Sequence, residues 1–198
     1  MGAKNKGNSF EREVCKLLSL WWSGNRHDNI FWRSQSSGGR ATQRAGKNLK
    51  TKGQHGDIAA DGEAGIKLID LFMIELKRGY NESSLIDLLD KPESSAEHPF
   101  EEWFRKLEES LHHSGSLSWW LIHKKDRRVP MIYIPASAIS VLREEGMLCD
   151  RLSARVNCTC RIRGPEDEVN RLHVVGMALD EWLKVLDPQE LISFSGIL

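Results

Sequence analysis

Three side chains in the middle of the chain have the types and spacing of a site that hydrolyses phosphate esters. Asp57 follows a glycine in Gly56-Asp57-Ile58, and Glu75 and Lys77 stand two residues apart in Ile74-Glu75-Leu76-Lys77. If the two segments are neighbouring strands, Asp57 can lie beside Glu75, and Glu75 and Lys77 share one face of their strand. Burying two carboxylates without a counterion is costly. A Mg²⁺ ion held by oxygen ligands removes that cost and activates water, while Lys77 can orient the water or stabilise charge on the phosphate.

Two short strands are predicted to position these side chains. Residues 56–60 read as a strand that leads into the turn at residues 61–63, and residues 67–77 form a strongly apolar run. In strand geometry Phe72, Ile74 and Leu76 face one side of that run, and Met73, Glu75 and Lys77 face the other. The acids and the amine would therefore meet at one end of a buried strand.

A helix predicted at residues 9–22 supplies two further acids. Its apolar stripe has helical spacing, Asn8 can cap it, and Glu11 has the position of the acid in a capping box. Glu11 and Glu13 lie about 80° to either side of the stripe, so helical phase makes them equal candidates for the site.

The remaining pattern predicts an α/β protein with a mixed central β-sheet flanked by helices. Residues 1–135 are expected to form the core, and residues 136–198 an extension packed on it whose role is open. The other predicted elements are strands at 30–34, 117–123, 129–134, 155–163 and 171–178, and helices at 82–90, 97–113, 136–145 and from Asp180.

The Asp57 and Glu75-Leu76-Lys77 motifs resemble those of the PD-(D/E)xK nuclease superfamily, with Gly56 in place of the usual proline. Three further features resemble the archaeal-type Holliday junction resolvases. These are GNSFEREV at residues 7–14, Arg33, and SSGG at residues 36–39. The resemblance implies a restriction-endonuclease-like fold and a metal-dependent DNA endonuclease.

The resemblance also implies a role for individual residues. Glu11 would join Asp57 and Glu75 in holding Mg²⁺, for which Mn²⁺ could substitute, and the carbonyl of Leu76 would help. Arg33 and Ser37 would lie near the scissile phosphate. It implies branched or junction DNA as the partner, in DNA recombination or repair, and a homodimer suits a two-fold substrate. Two alternatives remain: a restriction- or phage-type endonuclease of the same superfamily with another target, and a DNA-binding module that has lost catalysis.

Charge is distributed unevenly along a chain whose net charge is zero. Residues 1–56 contain 11 Lys and Arg against three acids, and the rest contains 17 basic against 25 acidic residues. Such asymmetry indicates a surface that binds a polyanion, although a solvated basic loop would give the same counts. The cations that we expect to hold DNA phosphates, besides Arg33, are Arg40, Arg44, Lys47, Lys50 and Lys52.

Tryptophans and cysteines give weaker signals. Trp32 and one of Trp119 and Trp120 are predicted to stack on exposed bases. Cys149, Cys158, Cys160 and His173 could bind zinc, but their spacing matches no common zinc pattern, so reduced free thiols are expected. Because the sequence begins without the apolar core of a signal peptide and has no membrane-length apolar run, a cytoplasmic protein without a membrane partner is expected.

Overall fold

A computed structural model describes residues 3–34, 56–60, 63–92, 95–148, 154–163 and 168–194. Side chains of the first helix are described from Gly7 onward. The helices are α1 (Ala3–Trp22), α2 (Glu63–Leu71), α3 (Pro99–Ser114), α4 (Ala136–Glu144), α5 (Leu179–Val185) and α6 (Pro188–Ser193). The strands are β1 (Phe31–Arg33), β2 (Ile58–Ala60), β3 (Phe72–Arg78), β4 (Ser118–Lys124), β5 (Met131–Pro135), β6 (Arg155–Arg163) and β7 (Val169–Ala178).

The central sheet has five strands in the order β3-β4-β5-β7-β6. Strands β3 and β4 are parallel, and the other neighbours are antiparallel. Strands β1 and β2 form a separate antiparallel ribbon next to the outer edge of β3. The predicted α/β fold with a mixed sheet and flanking helices is confirmed.

Alternate side chains of β3 enter two different apolar layers. Phe72, Ile74 and Leu76 pack in the layer that contains the apolar stripe of α1. Met73 packs in the layer formed with Trp103 and other apolar residues of α3. The alternation predicted for this strand is therefore confirmed, and it gives the two faces of β3 different surroundings.

The prediction of one strand over residues 67–77 was wrong in its first half. Residues 63–71 form helix α2, which leads directly into β3. Gly65, Leu68, Ile69 and Leu71 are buried at helical spacing. A continuous apolar run does not distinguish a buried helix from a buried strand, which is why the sequence pattern misassigned it.

The predicted helix at residues 82–90 was also wrong. Only residues Leu85–Leu88 form a single 3₁₀ turn, capped by the side chain of Ser84. Leu85 is buried, but Ile86 and Leu89 are exposed. A helix in this segment has almost no apolar face to bury, and a short helix without tertiary packing is marginal in water.

The C-terminal third of the chain completes the sheet. Strand β7 pairs with β5, and β6 forms the edge opposite β3. Trp182 of α5 is fully buried, with its ring 6.0 Å from that of Trp120. A domain boundary at residue 135 stays a prediction. In the part of the chain that is described, no helix has the length and apolar character needed to cross a membrane.

Candidate active site

Asp57 lies along the outer edge of β3 and is held there by three hydrogen bonds. Its backbone N–H donates to the carbonyl of Ile74 at 2.8 Å, and its own carbonyl accepts from the N–H of Ser34 at 2.8 Å. Its carboxylate oxygen Oδ2 accepts from the backbone N–H of Leu76 at 2.8 Å. The carboxylate is thus fixed beside the backbone between Glu75 and Lys77.

Gly56 allows this close approach. Its φ of +90° lies in the left-handed region, and a Cβ on it would stand 2.5 Å from the carbonyl oxygen of Ile74. Proline is restricted to φ near −65°, so it cannot take this conformation. The glycine that replaces the usual proline is therefore required by the backbone path that brings Asp57 to β3.

Glu75 and Lys77 lie on the face of β3 that α3 covers. Nζ of Lys77 is 2.5 Å from Oε1 of Glu75, and each side chain is 25% exposed. Lys77 is the register partner of His123, whose ring contacts Trp103 of α3. Register partners in neighbouring strands point to the same side, which places Lys77 on the α3 side of the sheet.

The two acids of α1 have different partners. Glu11 accepts a hydrogen bond from Nε of Arg33, and Nη2 of the same guanidinium donates to Oδ1 of Asn8 at 2.9 Å. Glu13 instead pairs with Nζ of Lys124 at 2.6 Å. The charge of Glu11 helps to raise the pKa of Asp57. The structure thus places Asp57 beside Glu75 and Lys77 and brings Glu11 close enough to Asp57 to affect its pKa, whereas Glu13 is directed to Lys124.

The capping role predicted for Asn8 was wrong. Helix α1 begins at Ala3, so Asn8 lies within it and its side chain binds Arg33. Glu11 is therefore not a capping-box acid, and its carboxylate is available to the cluster. Sequence reasoning missed the link between Asn8 and Arg33 because the two residues are 25 positions apart.

Burial and like charge raise the pKa of Asp57, the acid at the centre of the cluster. Burial raises the pKa of Asp57 to about 7, Glu75 and Glu11 add to the shift, and the Leu76 N–H and Lys77 oppose it. Burial alone would lower the pKa of Lys77, but Glu75 and Asp57 outweigh burial and raise it. Strong perturbation of this kind is typical of functional sites.

The donor set fits a divalent cation. Three carboxylates (Asp57, Glu75 and Glu11) face two cations (Lys77 and Arg33), which leaves a negative excess in a half-buried place. Carboxylate oxygens are the ligands that Mg²⁺ prefers. Among the described residues, no three acidic, His or Cys side chains are already gathered as a metal cage. Glu75 and Glu11 bind Lys77 and Arg33 instead, so a cation would have to displace these internal partners.

Cys15 is a neighbour of the cluster that sequence reasoning missed. It lies one helical turn after Glu11 and is buried. Burial, together with the charge of Glu11, raises the pKa of its thiol to about 11. The thiol is therefore neutral at physiological pH. Its spacing of four residues from Glu11 was the available signal.

Most other residues that were predicted to contact DNA either lie outside the described residues or are buried. Ser37, Arg40, Arg44, Lys47, Lys50 and Lys52 lie outside the described residues. The prediction of base stacking by Trp119 or Trp120 was wrong, because both side chains are completely buried in the two apolar layers. Trp32 is 38% exposed, and its contact with bases stays a prediction.

Of the four side chains that could bind zinc, the three in the described part of the chain are not gathered. Sγ of Cys158 and Sγ of Cys160 are 3.5 Å apart on one face of β6. His173 pairs in register with Thr159, whose hydroxyl is 2.9 Å from Nδ1 of His173, and thus lies on the opposite face. Cys149 is outside the described residues. Cys158 and Cys160 are free thiols, as expected.

The chain was compared with known protein families. The model of the family described as phage putative PDDEXK endonuclease matches residues 2–193. The chain belongs to this family. The match includes the whole candidate site and strands β6 and β7, and the family name denotes the pattern seen here in Asp57 and Glu75-Leu76-Lys77. No curated protein and no solved structure matches this chain. A closer relation to archaeal-type Holliday junction resolvases stays a prediction.

Proposed function

We propose that this endonuclease hydrolyses DNA phosphodiester bonds with Mg²⁺ held by Asp57, Glu75, Glu11 and the carbonyl of Leu76. One observation carries the proposal. The carboxylate of Asp57 is fixed on the N–H of Leu76 beside the charges of Glu75 and Glu11, and its pKa is raised to about 7. A divalent cation relieves this crowding, and a bound DNA phosphate adds oxygen ligands to it. Mn²⁺ is expected to substitute.

The cation supplies a water of lowered pKa and charge stabilisation for the phosphate. The protein's own cations have a second task. Once Glu75 no longer binds Nζ of Lys77, the ammonium can orient the attacking water or stabilise charge on the phosphate. Arg33 can in the same way move from Glu11 to a neighbouring phosphate, to which a guanidinium binds well. The internal ion pairs thus keep both cations within reach of the substrate.

Cleavage of DNA by site variants tests this proposal. With Mg²⁺ the protein should cut DNA, and Asp57→Asn and Glu75→Gln should each abolish cutting while retaining DNA binding. Glu13→Gln is the matched control, because Glu13 is on the same helix as Glu11 but pairs with Lys124. Undiminished cutting by both site variants would refute the assignment. A module that binds DNA without catalysis has no need of the intact set of Asp57, Glu75 and Lys77, so we favour the enzyme.

Preference for branched DNA is a finer part of the proposal. It is supported by the resemblance of residues 7–14, Arg33 and residues 36–39 to the junction resolvases. A four-way junction should be cut in preference to a linear duplex of the same sequence, by a homodimer whose mass light scattering can measure. Equal cutting of both substrates would favour a phage- or restriction-type endonuclease with another target.

Phosphate contacts by the basic segment are a separate part of the proposal. Replacing Arg40, Arg44, Lys47 and Lys50 together should weaken DNA binding and flatten its dependence on salt concentration. The readout is the slope of the logarithm of the affinity against the logarithm of the salt concentration. An unchanged slope would show that these four cations do not touch DNA.

A further inference from the structure

The turn that follows β3 has an unusual backbone. Gly79 has φ +95° and Tyr80 has φ +53°, so two consecutive residues are left-handed. For glycine this conformation is ordinary, but for a bulky aromatic residue it is a rare and strained one. Strain of this kind persists only where surrounding contacts enforce it, and it is concentrated at functional sites.

Hydrogen bonds from both sides hold this turn. The N–H of Gly79 donates to the carbonyl of Lys124 at 3.1 Å, and Nε2 of His123 donates to the carbonyl of Gly79 at 2.8 Å. The carbonyl of Tyr80 accepts from the N–H of Ser83 at 3.1 Å. Tyr80 is therefore presented by a fixed backbone, and its position does not depend on a loose loop.

The ring of Tyr80 projects on the same side of the sheet as the candidate site. Its edge contact with Trp103 has a centroid distance of 4.7 Å and an interplanar angle of 79°. Trp103 also contacts His123, the register partner of Lys77. Tyr80 lies three residues after Lys77, just beyond the end of β3. Despite these contacts, 51% of Tyr80 is exposed.

We propose that Tyr80 stacks on an unpaired nucleobase next to the scissile phosphate. The proposal rests on the nuclease function proposed above and specifies its substrate. In a continuous duplex every base is already stacked on its neighbours, so a fixed aromatic ring gains stacking energy only from a base that is unpaired or displaced. The endonuclease should therefore favour DNA with an unpaired nucleotide at the cut, as in a bulge, a flap or a branch point.

Two substrates of the same sequence test the proposal. One is a continuous duplex, and the other has a single unpaired nucleotide beside the cut. Tyr80→Ala should reduce cutting of the second about tenfold and leave cutting of the first unchanged, since base–aromatic stacking has about this effect. Tyr80→Phe should keep the preference. Ile86→Ala is the control, because Ile86 is 66% exposed but lies outside the turn. Equal rates for Tyr80→Ala and the unchanged protein on both substrates would overturn the proposal.

Relief of backbone strain separates a substrate contact from a structural role. Tyr80→Gly removes the ring but is relaxed at positive φ, whereas Tyr80→Ala removes the ring and stays strained. We expect Tyr80→Gly to melt at a higher temperature than Tyr80→Ala, and both to lose the preference for the unpaired nucleotide equally. A preference that followed the melting temperature instead would overturn the proposal in favour of a structural role.

Binding without cleavage keeps this test independent of the reaction. In an Asp57→Asn background, 2-aminopurine at the unpaired position should be quenched when Tyr80 is present and remain bright in Tyr80→Ala. Quenching in the Asp57→Asn protein, together with no DNA cutting by the unchanged protein, would refute the nuclease proposal and leave the base contact standing. Cutting that depends on Asp57, with identical fluorescence for both variants, would refute the base contact alone.

Discussion

The two edges of the sheet carry similar polar residues in very different surroundings. At the β3 edge, Glu75 and Lys77 are only 25% exposed, and Asp57 binds the backbone of β3. At the β6 edge, Arg155 and Arg161 are exposed to solvent. Arg155 lies in the same cross-strand row as Leu76, four strands away. We infer from this difference that burial among like charges, rather than the number of charged residues, makes the β3 edge the candidate for chemistry.

The cause of the difference is the ribbon of β1 and β2. It covers the outer edge of β3 and brings Asp57 against Ile74 and Leu76. In the part of the chain that the structure describes, no strand pairs with the outer side of β6. Polar side chains at that edge therefore meet water, and solvent screens their interactions.

Removal of one cation from each of the two edges should have the largest difference in effect. Lys77→Gln should lower the rate of DNA cleavage by about 10²- to 10³-fold, because a positioned cation is lost next to the phosphate. Arg155→Gln should change it by less than about threefold, as a surface substitution does. Single-turnover cleavage measures both. Similar losses from the two variants would remove the distinction between the edges.

Gly56 tests how the β3 edge is assembled. Gly56→Ala should reduce the free energy of unfolding by about 3 kcal/mol, since the left-handed φ and the contact with Ile74 both penalise a Cβ. Gly146→Ala is the control, because Gly146 has φ +73° but no atom within 4 Å of a built Cβ. That variant should lose only about 1 kcal/mol. Urea unfolding of the two variants measures both losses in the free energy of unfolding. Equal losses would show that close packing at Gly56 is unimportant.

Glu11 and Glu13 allow the surroundings of two acids to be compared within one helix, α1. Glu11→Gln should lower the cleavage rate about 10- to 100-fold, as loss of an accessory metal ligand or its support does. Glu13→Gln should lower it by less than about twofold, because it removes only an ion pair with Lys124. When the cleavage rate is measured over a Mg²⁺ titration, we expect Glu11→Gln, but not Glu13→Gln, to need more Mg²⁺ than the unchanged protein. The reverse order of effects would move the site to Glu13.

The pH dependence of the free energy of unfolding should reveal the burial of Asp57 beside like charges. Its pKa is about 7 in the folded protein against an unfolded value of 3.8, so between these values the folded state binds more protons. Stability of the metal-free protein should therefore fall as pH rises from about 4 to about 7 and level off above, by roughly 2 kcal/mol between pH 5 and pH 8. Asp57→Asn should lack this dependence. Thermal unfolding at several pH values measures it, and parallel curves for the two proteins would contradict the assigned cause.

Sequence patterns predicted the arrangement of the candidate site where it depends on local geometry. Alternation along β3 places Glu75 and Lys77 on one face, and the two short motifs indicated that Asp57 would join them. Glu11 and Glu13 could not be distinguished, because both lie beside the apolar stripe of α1. Their difference arises from Arg33 and Lys124, which are distant in sequence.

Two other features depend on backbone conformation that no periodic pattern reports. The left-handed φ of Gly56 and that of Tyr80 appear only in the folded chain. The apolar run before β3 was misassigned for a related reason, since residues 63–71 are buried as a helix against neighbours that the sequence does not reveal. Local rules thus predicted which residues the candidate site contains, and tertiary contacts determine how those residues are held.

The proposed reaction requires carboxylates from two neighbouring segments to bind one divalent cation. A crystal soaked in Mn²⁺ tests it most directly through the anomalous signal of the metal. We expect a peak within bonding distance of the carboxylates of Asp57 and Glu75, with Lys77 displaced from Glu75. A protein that cuts DNA but shows its Mn²⁺ peak elsewhere, with the ion pair of Glu75 and Lys77 intact, would contradict the account.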